Sequence, residues 1–295
     1  MSEHISRRLS NRFKKKFAAG SCVTFGRYPQ NNGEKPEPIE WQVLDNDGRE
    51  ALLLSRCGLD CQPFHHDDSD VRWRDCDLRK WLNNDFLNKA FTSDEIDMIS
   101  NDYLLTRDNL LFKPFGEMPS VLLDGISGDF ARDNEVERFR DNSNEESIPE
   151  SVKRESQAAK SHVKAFHTKD RIFCLTIEDI LTYFEQTNTN YGCRERWHSS
   201  AFGSKLWVSR SRACPVTEYA VARGAWKAVC CEKYRSKPNE WWFENCCFWL
   251  RTSGWLKDKA AYVDNIGHVN FNGQDVDYDI YAVRPALRIK IKKLS

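Results

Sequence analysis

The chain has no apolar run long enough to cross a bilayer, and its mean hydropathy is -0.68, so no transmembrane helix is expected. It has no excess charge of either sign, with 44 Lys plus Arg against 44 Asp plus Glu. Bulk electrostatics therefore argue neither for nor against a nucleic-acid partner. No apolar signal-peptide core follows the basic residues at the N-terminus, which predicts a cytoplasmic location or export by a route the sequence does not advertise. There is also no G-x-S-x-G elbow, phosphate loop or dinucleotide fingerprint. The seven histidines are scattered and build no His-rich helical module. These absences remove the common enzyme classes one by one and lean the reading away from catalysis.

Cysteine and tryptophan are plentiful, at eleven and ten. In a reducing compartment free thiols pack like small hydrophobes. Cys230-Cys231 and Cys246-Cys247 are adjacent pairs, and neighbours on a strand point to opposite faces, so they are read as structural thiols. Trp226, Trp241, Trp242, Trp249 and Trp255 crowd one short stretch, as expected for a loop-rich fold held by large aromatic cores.

Residues 1–19 form a basic stretch in which Ile5, Leu9, Phe13 and Phe17 recur every fourth position, an amphipathic helix. It docks on the domain or contacts an anionic surface. Strands are expected at Glu40–Leu44 and Ala51–Ser55, joined by the turn Asp45-Asn46-Asp47-Gly48. Cys57, Cys61, His65 and His66 are ligand-type residues that could hold zinc, although their spacing matches no common finger. The alternative is a surface loop. Asp75 or Asp77 should cap a helix whose apolar face is Leu78, Trp81, Leu82 and Phe86. Thr92-x-x-Glu95 is a capping box, and Thr176-x-x-Asp179 opens another helix after a strand at Arg171–Leu175. A polar insertion is expected at about 115–168, because such a composition buries too little surface to offset its ordering entropy.

Four blocks then stand in order: Phe25-Gly26-Arg27-Tyr28-Pro29-Gln30 with Pro38–Leu44, Leu78–Asn83 with Phe86, Phe248-Trp249-Leu250-Arg251-Thr252-Ser253-Gly254, and Val283-Arg284-Pro285-Ala286-Leu287. Together they resemble an uncharacterised bacterial family, a C-type-lectin-like "domain of unknown function". The resemblance implies an α+β, C-type-lectin-like fold over residues 20–295, with short twisted antiparallel sheets, a few flanking helices and long loops. It also implies distant similarity to sulfatase-modifying oxidases and to retroelement-diversified variable proteins. Trp41, Trp81 and Trp249 are then core aromatics. Arg251 and Arg284, inside apolar signatures, are expected to be partly buried and paired with a carboxylate or carbonyl.

Ala260–Gly273 alternates apolar and polar residues around Gly267, which predicts a hairpin with one wet face. Trp255, Tyr262, Asp264, His268, Asn270, Asn272, Asp275, Asp277, Tyr278 and Tyr281 are the candidate contact residues, because such side chains combine rigid rings with adaptable hydrogen bonding. Asp275-x-Asp277-x-Asp279 could instead hold calcium, although the Gly and distal Glu of an EF-hand are missing. The expected function is a non-catalytic recognition module for a protein or glycan, with no cofactor. The alternative is a metal- or thiol-dependent oxidase of the sulfatase-modifying type.

Overall fold

A computed structural model describes residues 17–33, 35–108, 165–184, 209–228 and 242–291. The expected basic helix, apart from residues 17–19, lies outside the described residues, as does most of the expected insertion. The described part is α+β. Two five-stranded sheets carry the core, and the helices between them are short.

The first sheet begins with β1 (Cys22–Pro29), β2 (Pro36–Asn46) and β3 (Glu50–Ser55), an antiparallel meander. Its middle turn forms for local reasons. The Asn46 side chain accepts from Gly48 N at 2.7 Å, the Asp47 carboxylate accepts from Arg49 N and Glu50 N, and Gly48 takes φ 83°. Beyond β3 the sheet continues with β14 (Ala286–Lys290) and β7 (Ile172–Phe173), while β4 (Asp60–Cys61) already belongs to the second sheet.

The helical middle comprises α1 (Asp77–Trp81), a π-helical turn at Leu82–Phe86, α2 (Leu87–Ala90) and α3 (Ser93–Met98). Neither Asp75 nor Asp77 caps α1. The N-cap is Cys76, whose sulfur accepts from Arg79 N at 3.4 Å. A buried sulfur can fill this role because Cys76 is fully enclosed, where a carboxylate would lose its hydration. The capping box of Thr92 and Glu95 forms at α3, and that of Thr176 and Asp179 forms at α4 (Ile177–Tyr183). Both lie within one helical turn, so local sequence suffices to specify them. The strand expected at Arg171–Leu175 shortens to β7, because the carbonyls of Cys174 and Leu175 are taken by Arg251.

β5 (Asp102–Arg107) and β6 (Ala165–Asp170) pair along their whole length, with Arg107 opposite Ala165. Residues 165–168, expected at the end of the insertion, therefore belong to β6. Downstream come β8 (Cys214–Pro215), α5 (Glu218–Ala222) and β9 (Asn245–Cys246), with β8 and β9 paired.

The second sheet is ordered β12 (Val269–Asp275), β11 (Lys259–Val263), β10 (Phe248–Ser253), β13 (Ala282–Val283), β4. Val283-Arg284-Pro285-Ala286 is where the chain leaves this sheet and enters the first. Residues 55–60 make the reverse crossing alongside: Leu59 N donates to the Val283 carbonyl and Ser55 N to that of Pro285, both at 2.9 Å. Arg284, 3% exposed, sits at the junction. It donates to the carbonyls of Ser55 at 3.0 Å and Arg212 at 3.1 Å, with its guanidinium 5.0 Å from the centre of the Phe248 ring. A planar fork with several donors suits this junction, since it can bind both carbonyls and stack on the ring at once. Arg251 has the same kind of setting, with Cys174 O at 2.6 Å, Thr106 Oγ1 at 3.2 Å and the Asp179 carboxylate at 3.2 Å. One contiguous core lies behind both arginines, with Trp41, Trp73 and Trp249 wholly buried.

Candidate functional site

The last hairpin turns on Asp264, whose carboxylate accepts from Ile266 N at 3.0 Å and His268 N at 2.9 Å. Gly267 follows at φ 74°, and a Cβ there would run into the Ser209 carbonyl. Asp264 and His268, whose ring lies 3.5 Å from that carboxylate, are thus engaged in the turn itself. Tyr262 and Asn270 are cross-strand partners, and Asn270 Nδ2 donates to the Tyr262 hydroxyl at 2.9 Å.

From there a run of rings leads outward. Trp249 and Tyr262 each lie 4.7 Å from Tyr281, and Tyr278 meets Tyr281 edge-on at 5.1 Å. Tyr281 was expected on the wet face, but it is buried. The alternating pattern ends with β12, and the residue before β13 fills the space between the other rings. Burial pushes the Tyr262 phenol up to about 12, and that of Tyr281 higher still. Both therefore remain neutral hydrogen-bonding groups.

The remaining candidates divide. Trp255 is half-buried, its Nε1 enclosed without a hydrogen-bond partner among the described residues. Asp275 pairs with Lys259. Asn272, Asp277, Tyr278 and Asp279 are exposed. Beside this turn stand two residues absent from the expected set. Trp226, 43% exposed, donates its backbone N–H to the Ile280 carbonyl at 2.9 Å. Arg223, half exposed, reaches the buried Asp60 carboxylate at 3.5 Å, next to Cys61, whose thiol donates to the Asp279 carbonyl at 3.0 Å. The only local sign was Gly224, which ends α5 with φ 114° and so puts Trp226 on a connection, where exposed aromatics occur.

A second feature flanks the segment after β4. Gln62, Pro63, His66, Asp77, Trp81 and Asn84 help line an open groove of about 360 Å³. Trp81, expected in the core, is only part-buried and forms one wall. The π-helical turn, closed by Leu87 N donating to Leu82 O, advances the chain by an extra residue per turn and sets the register of Asn84 along this wall. At the groove floor, Asp77 accepts from Lys80 Nζ at 2.9 Å and from His66 Nδ1 at 3.1 Å. His65 Nδ1 lies 2.7 Å from the same carboxylate. His65 and His66 are thus brought together, whereas Cys61 turns toward Asp279. Among the described residues no three His, Cys, Asp or Glu side chains are placed to hold one metal ion. This applies to the Cys57, Cys61, His65, His66 set and to Asp275, Asp277 and Asp279 alike.

Burial alone would raise the Asp77 carboxyl, but the hydrogen bonds from Lys80 and His66 and the nearby His65 hold it well below the ordinary 3.8. A group depressed in the folded state contributes fully above its unfolded value, and the contribution is lost as pH falls through the folded one. The stability gap between wild type and Asp77→Asn should accordingly narrow as pH drops from about 5 to about 3. Urea titrations at several pH values check this, and a gap that stays constant over the range counts against it.

The architecture defines an α+β protein of two sheets exchanging strands through Arg284, without a helix, among the described residues, long and apolar enough to cross a membrane. Residues 48–117 match the model of a family described as a domain of unknown function (DUF6273), a stretch that includes β3, β4, the groove and the helical middle. No curated protein and no solved structure matches the chain.

Proposed function

We propose that the protein is a non-catalytic recognition module on a C-type-lectin-like scaffold, binding a protein or glycan through the face formed by Arg223, Trp226, Asp277, Tyr278 and Asp279. One observation carries this reading. Tyr103, Trp226 and Tyr278 are the large apolar side chains exposed among the described residues, and two of the three flank the backbone of Ile280. Tryptophan, tyrosine and arginine dominate binding energy at interfaces, and here rigid rings stand beside adaptable carboxylates. Tyr278 packs edge-on against Tyr281, which is itself backed by Trp249, so less conformational freedom remains to be lost on contact.

Of the contact residues expected from the sequence, this proposal keeps Asp277 and Tyr278 and adds Asp279, Arg223 and Trp226. Screening the purified protein against glycan and protein arrays, with hits quantified by calorimetry, tests the reading. The double substitution of Trp226 and Tyr278 by Ala should weaken binding at least thirtyfold, about 2 kcal/mol, with little change in Tm. A ligand bound equally well by the double variant would place recognition elsewhere, and array-wide silence would end the reading.

A further inference from the structure

Cys214 and Cys246 are direct cross-strand partners in the two-residue ladder of β8 and β9. Neither the aromatic face nor the groove uses them, and both are wholly buried. Directly opposed residues of an antiparallel pair have Cα atoms about 4.5–5.5 Å apart, within the roughly 4.4–6.8 Å a disulfide spans. The Cys246 thiol donates to the Cys214 carbonyl at 3.4 Å, which brings the Cys246 sulfur up against the Cys214 residue. Gly58 packs so closely against Cys246 that a Cβ there would lie 3.0 Å from its Sγ.

We propose that Cys214 and Cys246 are a reversible thiol–disulfide pair that staples both ends of the segment carrying Arg223 and Trp226. The oxidant is a low-molecular-weight disulfide. The Cys214 thiolate attacks one of its sulfurs and expels one thiolate, which leaves a mixed disulfide. Cys246 then gives up its proton to that thiolate and attacks the Cys214 sulfur of the mixed disulfide, expelling the second thiolate, which takes up from solvent the proton that Cys214 released on ionising. Two protein S–H bonds become one S–S bond, and the reagent is reduced to two thiols.

The surroundings assign the roles. Burial opposes ionisation of both sulfurs. The hydrogen bond from Cys246 and the Arg284 guanidinium nevertheless shift Cys214 below an ordinary thiol, while Cys246 is shifted well above it. Access requires opening a ladder of two residues per strand, the kind of local event that precedes global unfolding. Adjacent Cys247 is no competitor, since neighbours on an extended chain face opposite ways. Cys57, whose ionisation is disfavoured by burial and by the charge of nearby Cys214, is the rival to be excluded. The staple does not depend on whether the aromatic face is the recognition surface.

The test refolds the full chain from denaturant in a glutathione redox buffer, so that access is not limiting, followed by alkylation of free thiols and peptide mapping. The expected result is a Cys214–Cys246 linked peptide, a loss of two hydrogens that dithiothreitol reverses, and a Tm higher by roughly 5–10 °C than in the reduced protein. Cys246→Ala should abolish the linked peptide. If that variant does not fold, the oxidised and reduced wild-type maps carry the comparison alone. Free Cys214 and Cys246 after oxidative refolding, or a dominant Cys57–Cys214 link, would overturn the proposal.

Discussion

Trp249→Ala lowers stability by about 3–5 kcal/mol, the range for truncating a fully buried large aromatic. Three losses combine at this position. The indole has no exposed surface, and its rings meet Phe64 at 5.9 Å and Tyr281 at 4.7 Å, so alanine leaves a cavity lined by aromatics that cannot collapse together. Its Nε1 donates to the Gln62 carbonyl at 3.0 Å, and the lost donor leaves that acceptor short of a partner, which costs about 1–3 kcal/mol when it stays enclosed. Trp249→Phe separates these effects, because it retains most of the ring contacts and removes only the donor. It should fall well below the alanine loss. Guanidinium titrations with unchanged slope measure both values, and equal losses for Phe and Ala would refute the packing argument. Tyr278 should also lose rigidity in Trp249→Ala, since Tyr281 is then unsupported. The change at the core thereby reaches the recognition face.

The second large effect is expected at Arg251. Substitution by Met keeps much of the aliphatic length and removes the fork, leaving the buried Cys174 carbonyl and the Asp179 carboxylate without their partner. Breaking a buried ion pair from one side costs about 3–5 kcal/mol. The Asp179 side chain is one-quarter exposed and can recover some hydration, which sets the expectation near the lower bound, about 3 kcal/mol. Arg251→Lys should recover little, because a single ammonium cannot reach Thr106, Cys174 and Asp179 together. A double-mutant cycle with Asp179→Asn isolates the charge pair. If Arg251→Met stays within about 1 kcal/mol of wild type, the guanidinium is not what joins β10 to the β5 and α4 side of the core.

Legibility followed the range of the interaction. Thr92 with Glu95 and Thr176 with Asp179 were readable because donor and acceptor sit three residues apart. The same holds for the Asp45–Gly48 turn and the hairpin around Gly267. The N-cap at Cys76 was not readable, since a thiol becomes a useful acceptor only in a site that excludes water. Tyr262 and Asn270 were expected on one wet face of the hairpin, but the half-burial of Tyr262 depended on Tyr281, which comes from a later segment. Trp226 had been placed with the core tryptophans. Composition cannot separate a buried indole from one that a Gly-ended connection leaves at the surface.

By itself, the amino-acid sequence determined the short capped helices, the hairpins and the presence of two arginines inside apolar segments, because each depends on periodicity or on groups within one turn of each other; the α+β class came from the family resemblance. Only the tertiary structure decided that β13 lies between β10 and β4, that Arg284 ties two sheets where they exchange strands, and that Cys246 faces Cys214 and not its neighbour. These outcomes arise from pairing between segments remote in the chain. Their partners are selected by shared burial and by the need to satisfy every enclosed carbonyl, and no local pattern encodes that selection.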